Sequence, residues 1–377
     1  SALMSPPLAL SNATEYRALT RFIGPSMLFR DTPEDDRAAH DMEAIWADCD
    51  AGRLCELARR HGVLGHLGHS RLALERSGCP EAIQTEVTRA TRAMQLRSLR
   101  QSSQLLTLLE AFASAGLRVI PLKGPVLSEQ LFGSLTRRDA VDLDLLLHPT
   151  ELEPAHELLL RLGYRSDDAP MTAGRYERHP RMRFFHEANY LPIDGDNFPV
   201  DLHWRLFQDP GLMPLSFDHL WETSERAEFE GRTVTRLPRP LLLTYLSCHG
   251  SVSCWFRMKW LCDVAALLAT LSEEDARSLS AGLPSISARR AVGHAITLTG
   301  HELGIHSEAL GHVFPESASM RDRWELRFLL ETLHHDQFSQ VHRDKALRLK
   351  QVAFKYLFYS GWTARWRAFT RYFRSHG

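Results

Sequence analysis

The chain has 377 residues, 45 Lys and Arg against 46 Asp and Glu, a formal net charge of −1, and 44% hydrophobic residues. This near-neutral charge excludes a protein that coats nucleic acid through its overall charge, although it leaves local basic patches open. No apolar run approaches the roughly 18 residues needed to cross a bilayer, no signal-peptide pattern opens the chain, and six scattered cysteines suit reduced thiols, so we expect a cytoplasmic protein.

The first part of the chain has a helical pattern. Residues 1–79 predict short helices, one of them opened by Thr32-Pro33-Glu34-Asp35 and another, at 51–61, capped by Asp50. After Pro80 at its start, the stretch 80–115 contains no Gly or Pro and carries apolar residues at mostly helical spacing. They predict one long helix that ends at Gly116.

The middle of the chain alternates between strand and helix patterns. Strands are predicted at 117–122 and 141–147, helices at 125–132 and 151–162, and two further strands at 183–193 and 198–206. The last two strands are separated by Asp194-Gly195-Asp196-Asn197, which is turn chemistry and predicts a hairpin.

A helical pattern returns after residue 239, with helices predicted at 241–271, 289–303 and 319–335. The last segment, 339–377, carries nine Lys or Arg against one acid and interleaves them with aromatic residues. We therefore predict an α+β fold: a small mixed sheet flanked by N-terminal and C-terminal helical regions. The predicted domains are 1–79, 80–238 and 239–377.

A pair of carboxylates lies in the predicted strand 141–147. Side chains of a strand alternate between its faces, so Asp142 and Asp144 share one face opposite Leu143, Leu145 and Leu147. Two close carboxylates repel unless a cation lies between them, and oxygen ligands favour Mg²⁺ or Mn²⁺. The alternative is a pair of solvent-facing acids on an edge strand, since the D-x-D pattern alone is weak and occurs twice more, at a helix cap and in a turn.

Two further features point to phosphate chemistry. Asp201, in Val200-Asp201-Leu202-His203, repeats the pattern of an acid between apolar residues, and it would add a third carboxylate if the two strands are neighbours. Three acids suit two metal ions in phosphoryl transfer. Lys123-Gly124 lies where a strand meets a helix, a natural phosphate site, although Lys123 could equally be an ordinary surface lysine.

These residues resemble a known family. The stretches that carry the resemblance are Leu122-Lys123-Gly124, Phe132-Gly133, Arg138, the Asp142 to Asp144 pair, Gly163-Tyr164, Asp201-Leu202-His203-Trp204 and a later helix with Lys259 and Asp263. Together they are similar to the bacterial "uncharacterised nucleotidyltransferase" branch of the DNA polymerase β-like superfamily. The resemblance covers roughly residues 80–270. It implies a palm-like mixed sheet followed by a helical domain.

The resemblance also implies roles for particular residues. Asp142 and Asp144 would hold Mg²⁺ or Mn²⁺ on the triphosphate of an NTP, with ATP as the leading candidate, and Asp201 would complete the metal site and activate the acceptor hydroxyl. Lys123 and Gly124 would contact phosphate in place of the Gly-Ser turn of typical members. Pro125 stands where that Ser would be, so backbone amides and Lys123 must make the contacts.

Four other residues have two interpretations each. Arg138 suits either a phosphate contact or an ion pair that orients an aspartate. His203 shares a strand face with Asp201 and suits either an acceptor or carboxylate contact or a structural hydrogen bond. Lys259 and Asp263 lie four residues apart on one helix face, where they would line the nucleotide pocket or only pair with each other.

The leading hypothesis is a metal-dependent nucleotidyltransferase that acts on a small-molecule or peptide acceptor and releases pyrophosphate. One alternative is transfer to tRNA or to a protein, motivated by the basic aromatic segment 339–377, which would otherwise pack as a helix. Another is a non-catalytic nucleotide-binding scaffold, and a minor one is membrane-surface binding by the same segment.

Overall fold

The structure is a computed structural model, and it describes residues 13–27, 36–166, 185–195, 197–311, 314, 319–334 and 345–360. The chain divides into two compact units. One unit, here called the helical unit, combines Ser1–Thr91 with Arg239–Gly377, and the other, the sheet unit, is Arg92–Pro238. Among the described residues, no helix is both long enough and apolar enough to cross a membrane.

Within the described residues, six helices precede the sheet: α1 Ala13–Met27, α2 Asp36–Ala47, α3 Ala51–His61, α4 Leu64–Leu67, α5 Arg71–Arg76 and α6 Glu81–Ser114. The predicted cap of α3 is present, because the Arg53 N–H donates to Asp50 Oδ1 over 2.8 Å. The long helix predicted at 80–115 is α6, and Gly116 follows it with a φ of 71°. That left-handed conformation favours glycine, which explains the stop.

The sheet unit contains, in chain order, β1 Val119–Pro121, α7 Gly124–Phe132, β2 Leu143–Leu147, α8 Leu152–Arg161, β3 Tyr164–Arg165, β4 Glu187–Pro192, β5 Val200–His203, α9 Phe217–Thr223, β6 Glu225–Phe229 and β7 Arg232–Arg236. Five strands form one mixed sheet in the order β1-β2-β5-β4-β3. Among the described strands of this sheet, only the β2–β5 pair is parallel. The predicted hairpin is the antiparallel β4–β5 pair.

One face of this sheet is the core of the sheet unit. Leu143, Leu145 and Leu147 of β2 pack there with Val200 and Leu202 of β5, and each is at most 1% exposed. The apolar residues of α8 and of the second half of α6 cover this face. Because strand side chains alternate, the residues between these leucines and valines point to the other face.

The part of the chain described after the sheet contains seven helices: α10 Arg239–Val252, α11 Met258–Ala269, α12 Glu273–Gly282, α13 Ile286–Leu303, α14 Glu308–Gly311, α15 Met320–His334 and α16 Lys345–Phe358. The α+β class, the mixed sheet and the helical regions at both ends are therefore confirmed.

Several boundaries differ from the predictions. The strand predicted from Val141 begins at Leu143, because Val141 is 42% exposed and β5, its parallel neighbour, pairs only from Leu143 onward. The other predicted strands are also shorter, and 183–184 lie outside the described residues. The β6–β7 hairpin was missed, although Glu230 and Gly231 form its turn with positive φ.

Part of the basic aromatic segment is described. In α16, Phe354 and Phe358 are fully buried and their rings stack at 5.6 Å. Phe354 also packs on Phe328 of α15 at 5.3 Å, so this part of the segment packs as a helix. Residues 339–344 and 361–377, which include five of the aromatic residues, lie outside the described residues, and nucleic-acid contact there stays a prediction.

Candidate active site

The face of the sheet opposite the core carries polar side chains from three neighbouring strands. Asp144 of β2 pairs in register with Asp201 of β5, and Asp201 in turn pairs with Asn189 of β4. Two residues along β5, His203 pairs with Glu187. The two strands that carry the aspartates are therefore neighbours, as the hypothesis of a shared carboxylate face requires. Neighbouring strands lie about 4.8 Å apart, which brings these side chains together.

Lys123 and Gly124 form the junction between β1 and α7. Lys123 is the N-cap residue of α7, and its Nζ donates to Asp144 Oδ1 over 2.9 Å. Gly124 has a φ of 74°, a conformation that strains any residue with a Cβ. The junction therefore directs the Lys123 ammonium onto the polar face, beside the free N–H groups at the start of α7.

Asp144 is buried, with 5% of its surface exposed, and receives two charge-assisted contacts on one oxygen. His203 Nε2 lies 3.0 Å from Asp144 Oδ1, the same oxygen that Lys123 contacts. Burial acts to raise the pKa of Asp144, but the attraction of Lys123 and the hydrogen bond from His203 outweigh it and hold the pKa well below its usual range. Asp144 is consequently ionised at neutral pH.

The effects on the pKa of Asp201 have the opposite net result. Its pKa is raised to about 6, mainly by burial and also by the charges of Asp144 and Asp142. The hydrogen bond from Asn189 Nδ2 to Asp201 Oδ1 opposes that rise. That hydrogen bond is 2.6 Å long. The negative charge at Asp201 is therefore not fully neutralised by the positively charged groups of the polar face.

The donor set fits a magnesium-type cation, although the ligands are not preassembled. Within the described residues, both partners of Asp144 contact Oδ1 and the one partner of Asp201 contacts its Oδ1, so the second oxygen of each carboxylate accepts no hydrogen bond. Hard carboxylate oxygens beside an unneutralised charge are suited to Mg²⁺. Asp142 lies half-buried in the bend before β2, and the three aspartates do not form one tight ligand group.

A comparison with protein families identifies the chain. The model of the family described as "Uncharacterised nucleotidyltransferase" matches residues 47–304, more than half of the chain. The chain belongs to this nucleotidyltransferase family. Neither the comparison with curated proteins nor the comparison with solved structures found a match. The polar face lies inside the matched region, and the family supports general nucleotidyl transfer by the chain without specifying the acceptor, the metal or the product.

The other residues predicted for the nucleotidyltransferase site have different positions. Arg138 is buried and lies in the sheet unit, where its backbone N–H donates to Ser128 Oγ over 3.2 Å. Lys259 and Asp263 both lie on α11 of the helical unit and are buried, with 7% and 0% of their surfaces exposed. Their roles in nucleotide binding stay predictions.

Three polar-face residues of the nucleotidyltransferase were not among the predicted site residues: His186, Glu187 and Asn189. Glu187 and Asn189 alternate with the buried Ala188 and Tyr190 along β4. That alternation was readable in the predicted strand 183–193. It places both polar residues on the face of Asp201 once the hairpin register is known.

Proposed function

We propose that this nucleotidyltransferase moves a nucleoside monophosphate from an NTP to a hydroxyl or phosphate oxygen of a small-molecule or peptide acceptor. The bond from the acceptor oxygen to the α-phosphorus forms, the bond to the β,γ-phosphates breaks, and pyrophosphate leaves. One observation carries the proposal: Asp144 and Asp201 are in register on two neighbouring strands, beside an ammonium at a helix N-terminus.

Asp144 and Asp201, with Asp142 beside them, would hold Mg²⁺ or Mn²⁺. A cation bound there would neutralise triphosphate charge and polarise the α-phosphate. His203 fixes the orientation of the Asp144 carboxylate by holding Oδ1, so Oδ2 would be the oxygen that binds the metal. Asp201 accepts the proton of the acceptor hydroxyl as the new bond forms.

Lys123 and Gly124 supply the phosphate contacts of the proposed reaction. The Lys123 ammonium lies beside Asp144, so an incoming triphosphate meets a cation whose position is already fixed. The first N–H groups of α7 lack helical partners and carry the positive end of the helix dipole. A β- or γ-phosphate bound at this junction would put the α-phosphate within reach of the aspartates.

The test is pyrophosphate release from each of the four NTPs, with and without Mg²⁺ or Mn²⁺, and with cell extract as the source of acceptors. Asp201→Asn keeps the size of the side chain and its partner Asn189, and we expect it to lower release by about 100-fold or more, since a group that stabilises developing charge is lost. Asp194→Asn is the matched control, because Asp194 lies exposed in the β4–β5 turn.

Metal-dependent release that Asp201→Asn abolishes and Asp194→Asn retains would support the proposal. Equal release by both variants would place the chemistry elsewhere. If the protein binds NTP but releases no pyrophosphate, in an extract in which another nucleotidyltransferase is active, the non-catalytic scaffold is favoured instead.

A further inference from the structure

A second group of potential metal ligands lies on the same sheet, on the far side of His203 from Lys123. It consists of His186, Glu187 and His203, whose ligand atoms all lie within 4.8 Å of one another. His203 is the last residue of β5 and pairs in register with Glu187, the first residue of β4. His186 precedes the strand in a bend, which releases it from strict alternation and lets it approach Glu187.

The distances within this cluster suit a tetrahedral cation. Glu187 Oε2 lies 3.2 Å from His186 Nε2 and 3.3 Å from His203 Nδ1. Two ligands at about 2.05 Å from a zinc ion, at the tetrahedral angle, are about 3.3 Å apart. The two distances from Glu187 therefore match those between ligands of a bound zinc ion, and the two histidine ligand atoms lie within 4.8 Å of each other.

His203 provides the strongest indication of a ligand. Its Nδ1 is buried and makes no hydrogen bond to any of the described residues, even though Glu187 is near. A buried polar nitrogen without a hydrogen bond destabilises the folded state, and it is retained where it serves another purpose. The other ring nitrogen contacts Asp144, and a carboxylate that holds the second nitrogen of a histidine is the usual support of a metal ligand.

The chemistry of the donors selects the class of metal. Two imidazole nitrogens and one carboxylate favour Zn²⁺ and other divalent first-row transition metals over Mg²⁺, which prefers oxygen ligands alone. The cluster is also accessible, because the side chains of His186 and Glu187 are 23% and 33% exposed. Three protein ligands leave a fourth position open to water or to a substrate oxygen.

A similar group in the helical unit is less suitable. His294, Asp322 and Glu325 also lie close together, but Arg290 and Arg321 both pair with Glu325. Two guanidinium groups already neutralise that carboxylate, so a divalent cation would meet repulsion. This contrast leaves the sheet cluster as the better candidate.

We propose that His186, Glu187 and His203 form a binding site for a zinc-class divalent cation, separate from the magnesium-type site at Asp144 and Asp201. The bound cation takes Nδ1 of His203, so the proton of the ring stays on Nε2 and donates to Asp144 Oδ1. The site thereby holds Asp144 in the orientation that the proposed transfer reaction uses. It goes beyond the proposed function, because it binds its metal whether or not nucleotide is present.

The test is binding of Zn²⁺ by calorimetry, and of Co²⁺ by its visible absorption, to tag-free, metal-stripped full-length protein. We expect one ion per chain and a Co²⁺ spectrum without the intense band of thiolate ligands. His186→Gln and Glu187→Gln change partly exposed side chains, and each should weaken binding by at least tenfold. His156→Gln is the control, because His156 lies in the same unit and bonds Tyr190 rather than the cluster.

Absence of stoichiometric binding by the wild type would overturn this proposal, as would equal affinity in all three variants. Addition of Mg²⁺ in excess should not displace the Zn²⁺, and displacement at low excess would also contradict a nitrogen-rich site. Asp201→Asn separates the two proposals, since it should abolish nucleotidyl transfer and retain Zn²⁺ binding. If the wild type binds Zn²⁺ but shows no nucleotidyl transfer, only the proposed function is rejected.

Discussion

Buried carboxylates in the two units differ in how completely they are satisfied. In the helical unit, Glu302 receives Tyr16 Oη at 2.7 Å and His334 Nε2 at 2.9 Å on one oxygen, and contacts His301 Nδ1 with the other at 2.8 Å. Burial acts to raise the pKa of Glu302, but the hydrogen bonds outweigh it and lower the pKa to about 2. In the sheet unit, Asp201 has one partner and a raised pKa.

This difference separates structural from functional carboxylates. A carboxylate whose two oxygens are both occupied stabilises the fold and has little capacity left for a ligand. A carboxylate with an unoccupied oxygen beside another negative charge destabilises the fold, and such arrangements recur at active sites. The predictions below test that distinction, beginning with the largest expected effect.

The first prediction concerns the structural side of the comparison. Glu325 is fully buried and pairs with Arg290, Arg321 and His294. We expect Glu325→Gln to lower the free energy of unfolding by about 3–5 kcal/mol, because it removes the buried carboxylate that neutralises Arg290 and Arg321. Chemical denaturation followed by circular dichroism measures this loss.

The control for that measurement is Glu331→Gln on the same helix. Glu331 pairs with Lys350 at 2.7 Å, but the Lys350 side chain is 44% exposed. An exposed pair contributes less than about 1 kcal/mol, so Glu331→Gln should change stability little. Equal losses in the two variants would mean that burial does not distinguish these carboxylates.

The second prediction concerns a buried histidine of the helical unit. Burial and, to a smaller extent, nearby positive groups lower the pKa of His61 to about 3, against an opposing effect of Glu302. His61 Nδ1 accepts the Met258 N–H at 3.2 Å, so the neutral ring is the form that the fold uses. The groups that act on this ring are Tyr16, Arg60, Arg257, Glu302 and His334.

Between pH 6.5 and about 3 the unfolded chain binds a proton at His61 that the folded chain does not, so stability must fall as pH falls through that window. We expect a loss of about 2 kcal/mol from this residue between pH 7 and pH 5. In His61→Asn the amide oxygen replaces the Nδ1 acceptor and does not titrate. Denaturation curves of the variant should lose less stability over this range, and parallel curves for both proteins would contradict the prediction.

Local patterns predicted one face of the sheet correctly. The alternation of Leu143, Leu145 and Leu147 with Asp144 is a property of a single strand, so it needs no knowledge of the rest of the fold. The same holds for α6, whose end at Gly116 follows from a left-handed glycine. These features depend on residues close together in the chain.

Contacts between distant segments were less predictable. The bond from Lys123 to Asp144 joins residues 21 positions apart, and the sequence suggested either a phosphate contact or an ordinary surface position for that lysine. The register of Asp144 with Asp201 depends on a parallel pairing that no local pattern specifies. His186 was missed because its role depends on the bend before β4 and on the ring of His203.

The smallest effect is expected on the functional side of the comparison. Asp201→Asn removes a partly buried charge that Asp142 and Asp144 repel, while the amide oxygen can still accept the hydrogen bond from Asn189. We expect the variant to be more stable than the wild type by about 1 kcal/mol at pH 7 in metal-free buffer, a gain typical of replaced active-site charges. Saturating Mg²⁺ should stabilise the wild type and not the variant, since ligand binding to the folded state adds to its stability. A loss of stability in Asp201→Asn would show that Asp201 stabilises the fold as Glu325 does. The distinction between structural and functional carboxylates would then not hold for Asp201.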